Sequence, residues 1–217
     1  MLPFGPNTGS LRVLAIGAHA DDIEIGAGGT VLSLVAAGAL ERLDFLVLTA
    51  DGVRRNEAIE SAEHCLSRVD GEVVVEDLPE RHFHTVATDV KVAVAAAVAR
   101  SQPQVVIGPA LHDVHQDHRA TAEAIQQACR DHVVLQYEIV KYEGDLRTPN
   151  VYVPLDAATI DDKIAWLHKA FPSQLGRQWF DDETFRGLAR IRGVECVAQY
   201  AEGFHCRKMV LGPRLER

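Results

Sequence analysis

Short apolar runs of strand length alternate along the chain with longer stretches of helical periodicity. The predicted strands are residues 11–17, 43–49, 72–76 and 105–108. The predicted helices are residues 25–38, 57–68, 88–100 and 120–130. Continuous apolar runs are typical of buried parallel strands, so the alternation predicts an α/β fold with an open, mostly parallel Rossmann-like sheet and helices on both faces.

The predicted strand order locates a candidate site. The usual doubly wound order, 3-2-1-4-5, places the first and fourth strands side by side, where the winding of the sheet reverses. Ligands of such sheets bind outside the carboxyl ends of the strands at this point. We therefore expect the segments that follow residues 17 and 108 to meet.

The segment after the first strand carries imidazole and carboxylate groups. His19 and Asp22 lie three residues apart and can both turn toward one metal ion, which would leave Asp21 free to act as a base on the attacking water. The alternative is that Asp21 and Asp22 only cap the following helix, because acidic residues are favoured in a first turn.

The segment after the fourth strand favours the metal site over helix capping. It contains His115-Gln116-Asp117-His118, directly before a helical pattern. A catalytic zinc site keeps three protein ligands and leaves the fourth position to water. Two segments with nitrogen and oxygen donors, brought together by the strand order, therefore predict one divalent metal ion, with zinc as the expected element.

Both segments also resemble a known family. His19-Ala-Asp-Asp-Ile-Glu-Ile-Gly-Ala-Gly-Gly-Thr resembles the His-Pro-Asp-Asp signature of the PIG-L or LmbE-like zinc deacetylases, the N-acetylglucosaminyl-phosphatidylinositol de-N-acetylase family, and His115-Gln-Asp-His-Arg-Ala resembles its second signature. Three further matches follow along the chain. Arg54 and Glu57 match an Arg-x-x-Glu pair, Ser173-Gln174 matches a Ser-Gln pair, and residues 200–204 match a terminal Tyr-Ala-Glu-x-Phe. One departure is Ala20, where the family usually has proline.

The resemblance implies a role for each matched position. His19, Asp22 and His118 would be the zinc ligands, and Asp21 the general base. His115 would stabilise the oxyanion or protonate the leaving amine, while Asp117 would orient a histidine. Ala20 removes a fixed backbone angle but no functional group, so the departure leaves this chemistry unchanged.

Contacts to the substrate are expected from three further residues. Arg54 lies near the carboxyl end of the second strand, and a guanidinium suits sugar hydroxyls; the alternative is that it pairs only with an acid such as Glu57, three residues later. Tyr200 and Glu202 are expected either to line the same cavity or to hold the loops around it.

Composition sets the remaining expectations. A chain of 217 residues, 47% hydrophobic and without a Pro, Ser or Gly-rich linker, fits one globular deacetylase-like domain over residues 1–217. Residues 1–10 lack the pattern of a secretion signal, and the longest apolar stretch, residues 92–99, is too short to span a membrane. We therefore expect a cytoplasmic enzyme with no transmembrane segment.

The net charge and the positions of the glycines limit which partners and cofactors we expect. A net charge of −9 argues against nucleic acid, because phosphate binding requires clustered Lys and Arg, and favours a small or neutral substrate. Gly26, Gly28 and Gly29 do not follow a strand directly, as a dinucleotide fingerprint would, so no nucleotide cofactor is expected. The sequence leaves open whether the chain forms a homo-oligomer.

Three functions remain at this stage. The first is a zinc-dependent hydrolase that removes an acetyl group from an N-acetylglucosamine-type sugar or glycoconjugate. The second is a non-catalytic sugar-binding or metal-binding relative of the same fold, and the third is a zinc hydrolase of a non-sugar amide. A binder has no need of an unliganded acid such as Asp21 between two ligands, so the residues favour an enzyme.

Overall fold

The computed structural model describes residues 11–209. Seven strands form one sheet: β1 (Leu11–Gly17), β2 (Leu40–Val47), β3 (Val73–Val75), β4 (Val105–Pro109), β5 (Val133–Tyr137), β6 (Val151–Leu155) and β7 (Tyr200–His205). Six α-helices connect them: α1 (Asp22–Ala36), α2 (Gly52–Leu66), α3 (Ala87–Ser101), α4 (Gln116–Ala128), α5 (Ala157–Ala170) and α6 (Asp182–Glu195). The segment 1–10, in which no secretion signal was expected, lies outside the described residues.

The sheet confirms the predicted α/β class and strand order. Its order is β3-β2-β1-β4-β5-β7-β6, so the predicted 3-2-1-4-5 arrangement is present and two more strands extend it. The first five strands are parallel, whereas β7 runs antiparallel to both β5 and β6. Residues 200–205, which the sequence pattern did not identify as a strand, therefore form an inner strand between β5 and the edge strand β6.

Helices pack on both faces of the sheet, and β1 is therefore buried on both sides. Val13 and Ala15 point into the larger apolar cluster, which also contains side chains of α1, α2, α5 and α6. Leu14 and Ile16, the alternate residues of the same strand, point into a second cluster that contains side chains of α3 and α4. Alternation along a strand places successive side chains on opposite faces, so one continuous apolar run serves both layers.

The central strands bring the two candidate segments together. Val13, Leu14 and Ala15 of β1 pair in parallel with Val105, Val106 and Ile107 of β4. Since β1 and β4 are parallel neighbours, the segments that leave their carboxyl ends emerge at the same edge. Within residues 11–209, no helix combines the length and the apolar character that crossing a membrane requires.

Candidate metal centre

The chain turns sharply between β1 and α1. A Cβ atom at Gly17 would lie 2.8 Å from the carbonyl oxygen of His19, so the close return of the backbone requires glycine there. α1 begins at Asp22, three residues earlier than the pattern predicted, which places this carboxylate in the first helical turn rather than in a loop. Asp21 occupies the N-cap position but makes no capping hydrogen bond. The capping alternative therefore does not explain Asp21.

The second segment enters its helix in a similar way. α4 begins at Gln116, so His118 also lies in a first helical turn. His115 is the N-cap residue, and its Nδ1 accepts the backbone N–H of Asp117 at 3.2 Å. A ring nitrogen that accepts a hydrogen bond carries no proton, so the other nitrogen of His115, Nε2, is the one that can donate.

Three donor atoms from the two segments form a compact triangle. His19 Nδ1 lies 3.2 Å from His118 Nε2. Asp22 Oδ2 lies 3.4 Å from His19 Nδ1 and 3.3 Å from His118 Nε2. Tetrahedral zinc with bonds of about 2.0–2.1 Å separates its ligand atoms by about 3.3–3.4 Å. The spacing of the predicted ligands therefore fits a tetrahedral zinc ion with one position open.

A second group of donors overlaps with this triangle. The ring nitrogens of His19, His115 and His118 lie within 4.8 Å of one another and could also hold a metal ion. Both groups share two histidines, and they differ in whether Asp22 or His115 supplies the third ligand. The triangle that includes Asp22 has the shorter edges and adds a charged oxygen donor, so we favour it.

Carboxylates contact the outer nitrogens of both shared histidines. Asp117 Oδ2 lies 3.3 Å from His19 Nε2, and Asp113 Oδ2 lies 2.8 Å from His118 Nδ1. Such contacts fix the tautomer and the ring orientation of metal-binding histidines. The structure thus places Asp117 beside His19 and Asp113 beside His118; sequence reasoning missed Asp113. Its signal was a carboxylate five residues before His118 in the same loop.

Asp113 is itself held by a segment between β5 and β6. Lys141 Nζ donates to Asp113 Oδ2 at 2.9 Å and lies 2.9 Å from Asp145 Oδ1. The other oxygen of Asp145 accepts the backbone N–H of Val114 at 2.7 Å. These contacts fasten the segment 141–145 to the turn that carries His115, so the outer shell of the site includes residues well beyond the two motifs.

The carboxylates make the space between the histidines favourable for positive charge. Burial alone would lower the pKa of His19, but the Asp22 carboxylate and the hydrogen bond with Asp117 raise the pKa to about 10. Burial likewise opposes protonation of His118, yet Asp22 and Asp113 raise its pKa to about 9. A cation bound between the two rings would be stabilised by the same carboxylates.

His115 differs from these two histidines. Burial, together with the neighbouring His118 and His19, lowers the pKa of His115 below its ordinary value. A neutral His115 with its proton on Nε2 remains a hydrogen-bond donor, which fits the first of the two roles that the resemblance implies, stabilisation of an oxyanion.

Asp21 lies beside the triangle and pairs with Arg54. Arg54 Nη2 donates to Asp21 Oδ1 at 2.7 Å, and Nη1 donates to Glu57 Oε2 at 3.2 Å. Burial raises the pKa of the Asp21 carboxyl, and the Arg54 guanidinium offsets part of that rise. The pair with Glu57 is the alternative that the sequence offered for Arg54, whereas the pair with Asp21 was not predicted.

Glu202, which was expected either to line the cavity or to hold the loops around it, contacts the backbone of α1 and a lysine of α5. Its buried carboxylate accepts the backbone N–H groups of Gly29 and Thr30, at 2.8 and 2.7 Å, and pairs with Lys163 at 2.7 Å. These groups lie about two helical turns beyond the start of α1. Tyr200 is half-buried against the apolar cluster. The contacts of Glu202 therefore tie β7 to α1 and α5.

Replacing Asp113 by Asn should weaken zinc binding by about 10–100-fold, the usual effect of removing an outer carboxylate from a metal-binding histidine. Asn keeps the size of the side chain but removes the charge that fixes His118 Nδ1–H. Competition with a chromogenic chelator measures the affinity. Asp131→Asn removes an exposed acid that pairs with His132 and serves as the control. Equal zinc affinities for the two variants would contradict a supporting role for Asp113.

Comparison with known proteins identifies related sequences and folds. The family model described as PIG-L, GlcNAc-PI de-N-acetylase, matches residues 14–129, just over half of the chain. This range includes every residue of the triangle, as well as His115, Asp113 and Asp117.

Solved structures with similar folds carry different activities. A conserved protein from Thermus thermophilus is 23% identical, with a TM-score of 0.74 over 95% of this chain and 99% of that chain. An N,N′-diacetylchitobiose deacetylase from Pyrococcus horikoshii is 20% identical, with a TM-score of 0.70 over 93% and 85%. A 4-carboxy-2-hydroxymuconate hydratase from Pseudomonas putida is 19% identical, with a TM-score of 0.73 over 95% and 100%. At these identities the likeness shows the fold alone.

Proposed function

The chain belongs to the PIG-L family of GlcNAc-PI de-N-acetylases, and on this basis we propose that it is a zinc-dependent hydrolase of N-acetylated sugars. It would remove the acetyl group of an N-acetylglucosamine-type sugar or glycoconjugate and release acetate and a free amine. The observation that carries this proposal is the triangle of His19, Asp22 and His118 donors with an unliganded carboxylate, Asp21, beside it.

The proposed zinc site assigns a role to each donor. His19 Nδ1, His118 Nε2 and Asp22 Oδ2 would hold the ion, and the carboxylates of Asp117 and Asp113 would orient the two imidazoles. A bound zinc ion acidifies water toward a pKa of about 7 and polarises a carbonyl group.

The side chains around the site would handle the protons of the reaction. Asp21 takes a proton from the attacking water, whose oxygen bonds to the amide carbon. The Nε2–H of His115 donates a hydrogen bond to the oxygen that becomes negative and keeps its proton throughout. The C–N bond then breaks, the proton held by Asp21 passes to the leaving nitrogen, and the products are the amine and acetic acid, which releases its proton to become acetate.

The site supports hydrolysis more than simple binding. Arg54 holds one oxygen of Asp21, and no described side chain donates to the other oxygen, which is therefore available to accept a proton. The family model that matches the chain is described as GlcNAc-PI de-N-acetylase, and this match supports a sugar amide as the substrate. The hydratase of the same fold shows why the proposal rests on the site and not on the fold.

A substrate panel tests the proposal. The zinc-loaded protein is incubated with N-acetylglucosamine, N,N′-diacetylchitobiose, a nucleotide-linked N-acetylglucosamine, an N-acetylglucosaminyl lipid and an N-acetyl amino acid. We expect equal amounts of acetate and amine from at least one of the sugars, and none from the amino acid. Release from the amino acid alone would indicate a hydrolase of non-sugar amides, and no release from any compound would contradict the proposal.

Replacing His115 by Ala should lower kcat by about 10²–10³-fold, the usual cost of losing one donor to an oxyanion. Zinc content should stay at one ion per chain, because His115 is not a ligand in the favoured triangle. His115→Gln keeps a donor near the same position and should recover part of the activity. If His115→Ala loses zinc while Asp22→Ala keeps it, the three histidines form the metal site and the assignment of Asp22 is wrong.

A further inference from the structure

Arg54 connects the candidate base to a buried network that extends far along the chain. One end of its guanidinium donates to Asp21 Oδ1 at 2.7 Å. The other end donates to Glu57 Oε2 at 3.2 Å and to Ser173 Oγ at 3.3 Å. A guanidinium is a rigid fork of donors, so fixing one arm also fixes the direction of the other.

Glu57 is the centre of this network. Its side chain is buried, and Ser173 contacts both of its oxygens: the backbone N–H donates to Oε1 at 2.8 Å and the hydroxyl donates to Oε2 at 2.6 Å. The ring of Phe171 lies 5.6 Å from the Arg54 guanidinium carbon, within the range of a cation–π contact. The guanidinium is thus held from two sides, by α2 and by the segment that follows α5.

We propose that Arg54 is a positioning residue that fixes the carboxylate of Asp21 through Oδ1 and leaves Oδ2 as the oxygen that accepts the proton. Glu57 and Ser173 set the orientation of Arg54. This inference rests on the proposed function, in which Asp21 is the general base. It gives the Arg-x-x-Glu and Ser-Gln pairs one shared role, which is to position Asp21. Ser173 lies outside the residues that the family model matches.

The contacts favour this role over a direct contact between Arg54 and a sugar. Both arms of the guanidinium already have partners, and two of those partners are buried carboxylates. Glu57 makes the two roles separable, because its buried side chain cannot reach a substrate. Under the positioning role, changes to Arg54 and to Glu57 act on the same step, whereas a sugar contact involves Arg54 alone.

A double-mutant cycle tests the inference, with N,N′-diacetylchitobiose as the probe. Arg54→Ala should lower kcat by about 10–100-fold, the scale of losses from misplaced catalytic groups, with little change in KM. In the Asp21→Asn background the same substitution should change kcat by less than about 3-fold, because the group that it positions is already absent. Arg54→Lys should recover part of the loss, and Glu57→Gln should lower kcat without raising KM.

Controls separate this inference from instability and from the proposed function. Zinc content and thermal unfolding are measured for every variant, and Arg55→Ala removes the same charge from the neighbouring position of α2. An equal fall in kcat in both backgrounds, or a rise in KM alone, would overturn the positioning role and leave Asp21 as the base. Full activity of Asp21→Asn by itself would instead contradict the general base of the proposed function, and the positioning role with it.

Discussion

Asp21→Asn should retain one zinc ion per chain and lose about 10²–10⁴-fold in kcat, the usual contribution of a general base. The carboxylate is not part of the donor triangle, so its replacement leaves the three ligand atoms unchanged. Asn has nearly the same size and can still accept the hydrogen bond from Arg54 with its amide oxygen. What it lacks is an oxygen that can take a proton from water. Steady-state kinetics combined with metal analysis measures both effects on the same preparation.

The matched control for this substitution is Asp51→Asn. Asp51 is exposed and makes no described side-chain cap to α2, so its replacement should change neither zinc content nor kcat. Near-normal turnover by zinc-loaded Asp21→Asn would show that another group accepts the proton. A loss of zinc in the same variant would indicate that Asp21 is a ligand.

His118→Ala should abolish stoichiometric zinc binding and, with it, all metal-dependent turnover. The expected loss of affinity exceeds the roughly 10–100-fold effect of an outer carboxylate, because only three protein ligands hold a catalytic zinc ion. The substitution also leaves Asp113 with Lys141 as its remaining side-chain partner, since its contact to His118 Nδ1 is gone. Measuring zinc per chain after dialysis, with activity before and after zinc is added back, checks this expectation.

His84→Ala provides the control for the loss of one imidazole. His84 is exposed and lies outside the donor groups described above, so this variant should bind zinc like the wild type. If His118→Ala keeps stoichiometric zinc, the metal does not bind in the triangle. Thermal unfolding of both variants verifies that a lost zinc ion reflects a lost ligand and not a lost fold.

The position of the site could be predicted from the sequence because it depends on strand order. Apolar runs of strand length identified β1 and β4, and the doubly wound order placed them side by side. The paired residues Val13 and Val105 confirm this neighbourhood. Once two parallel strands are adjacent, their carboxyl ends share one edge, so the meeting of His19 and His118 follows from topology alone.

Helix starts were harder to predict, for a physical reason. The apolar periodicity that marks α1 begins after Asp22, and the periodicity that marks α4 begins after His118. Polar residues of a first turn face the site and not the core, so they do not contribute to an apolar pattern. The structure therefore moves both residues from loops into first helical turns.

Long-range polar pairs could not be predicted from local pattern. Arg54 meets Asp21 across 33 positions of sequence, and Lys141 meets Asp113 across 28. Glu202 reaches α1 from a strand that runs antiparallel to its neighbours, an arrangement that depends on how the last part of the chain returns to the sheet. Each of these pairs forms because distant elements pack together, and the spacing of residues along the chain does not predict such packing.

Anomalous diffraction at the zinc edge from crystals of the zinc-loaded protein tests the central claim most directly. The account predicts one strong peak about 2.0–2.1 Å from His19 Nδ1, His118 Nε2 and one oxygen of Asp22, with Asp21 not coordinated. A peak bound by His19, His115 and His118 without Asp22, or no peak between the two segments, would contradict it.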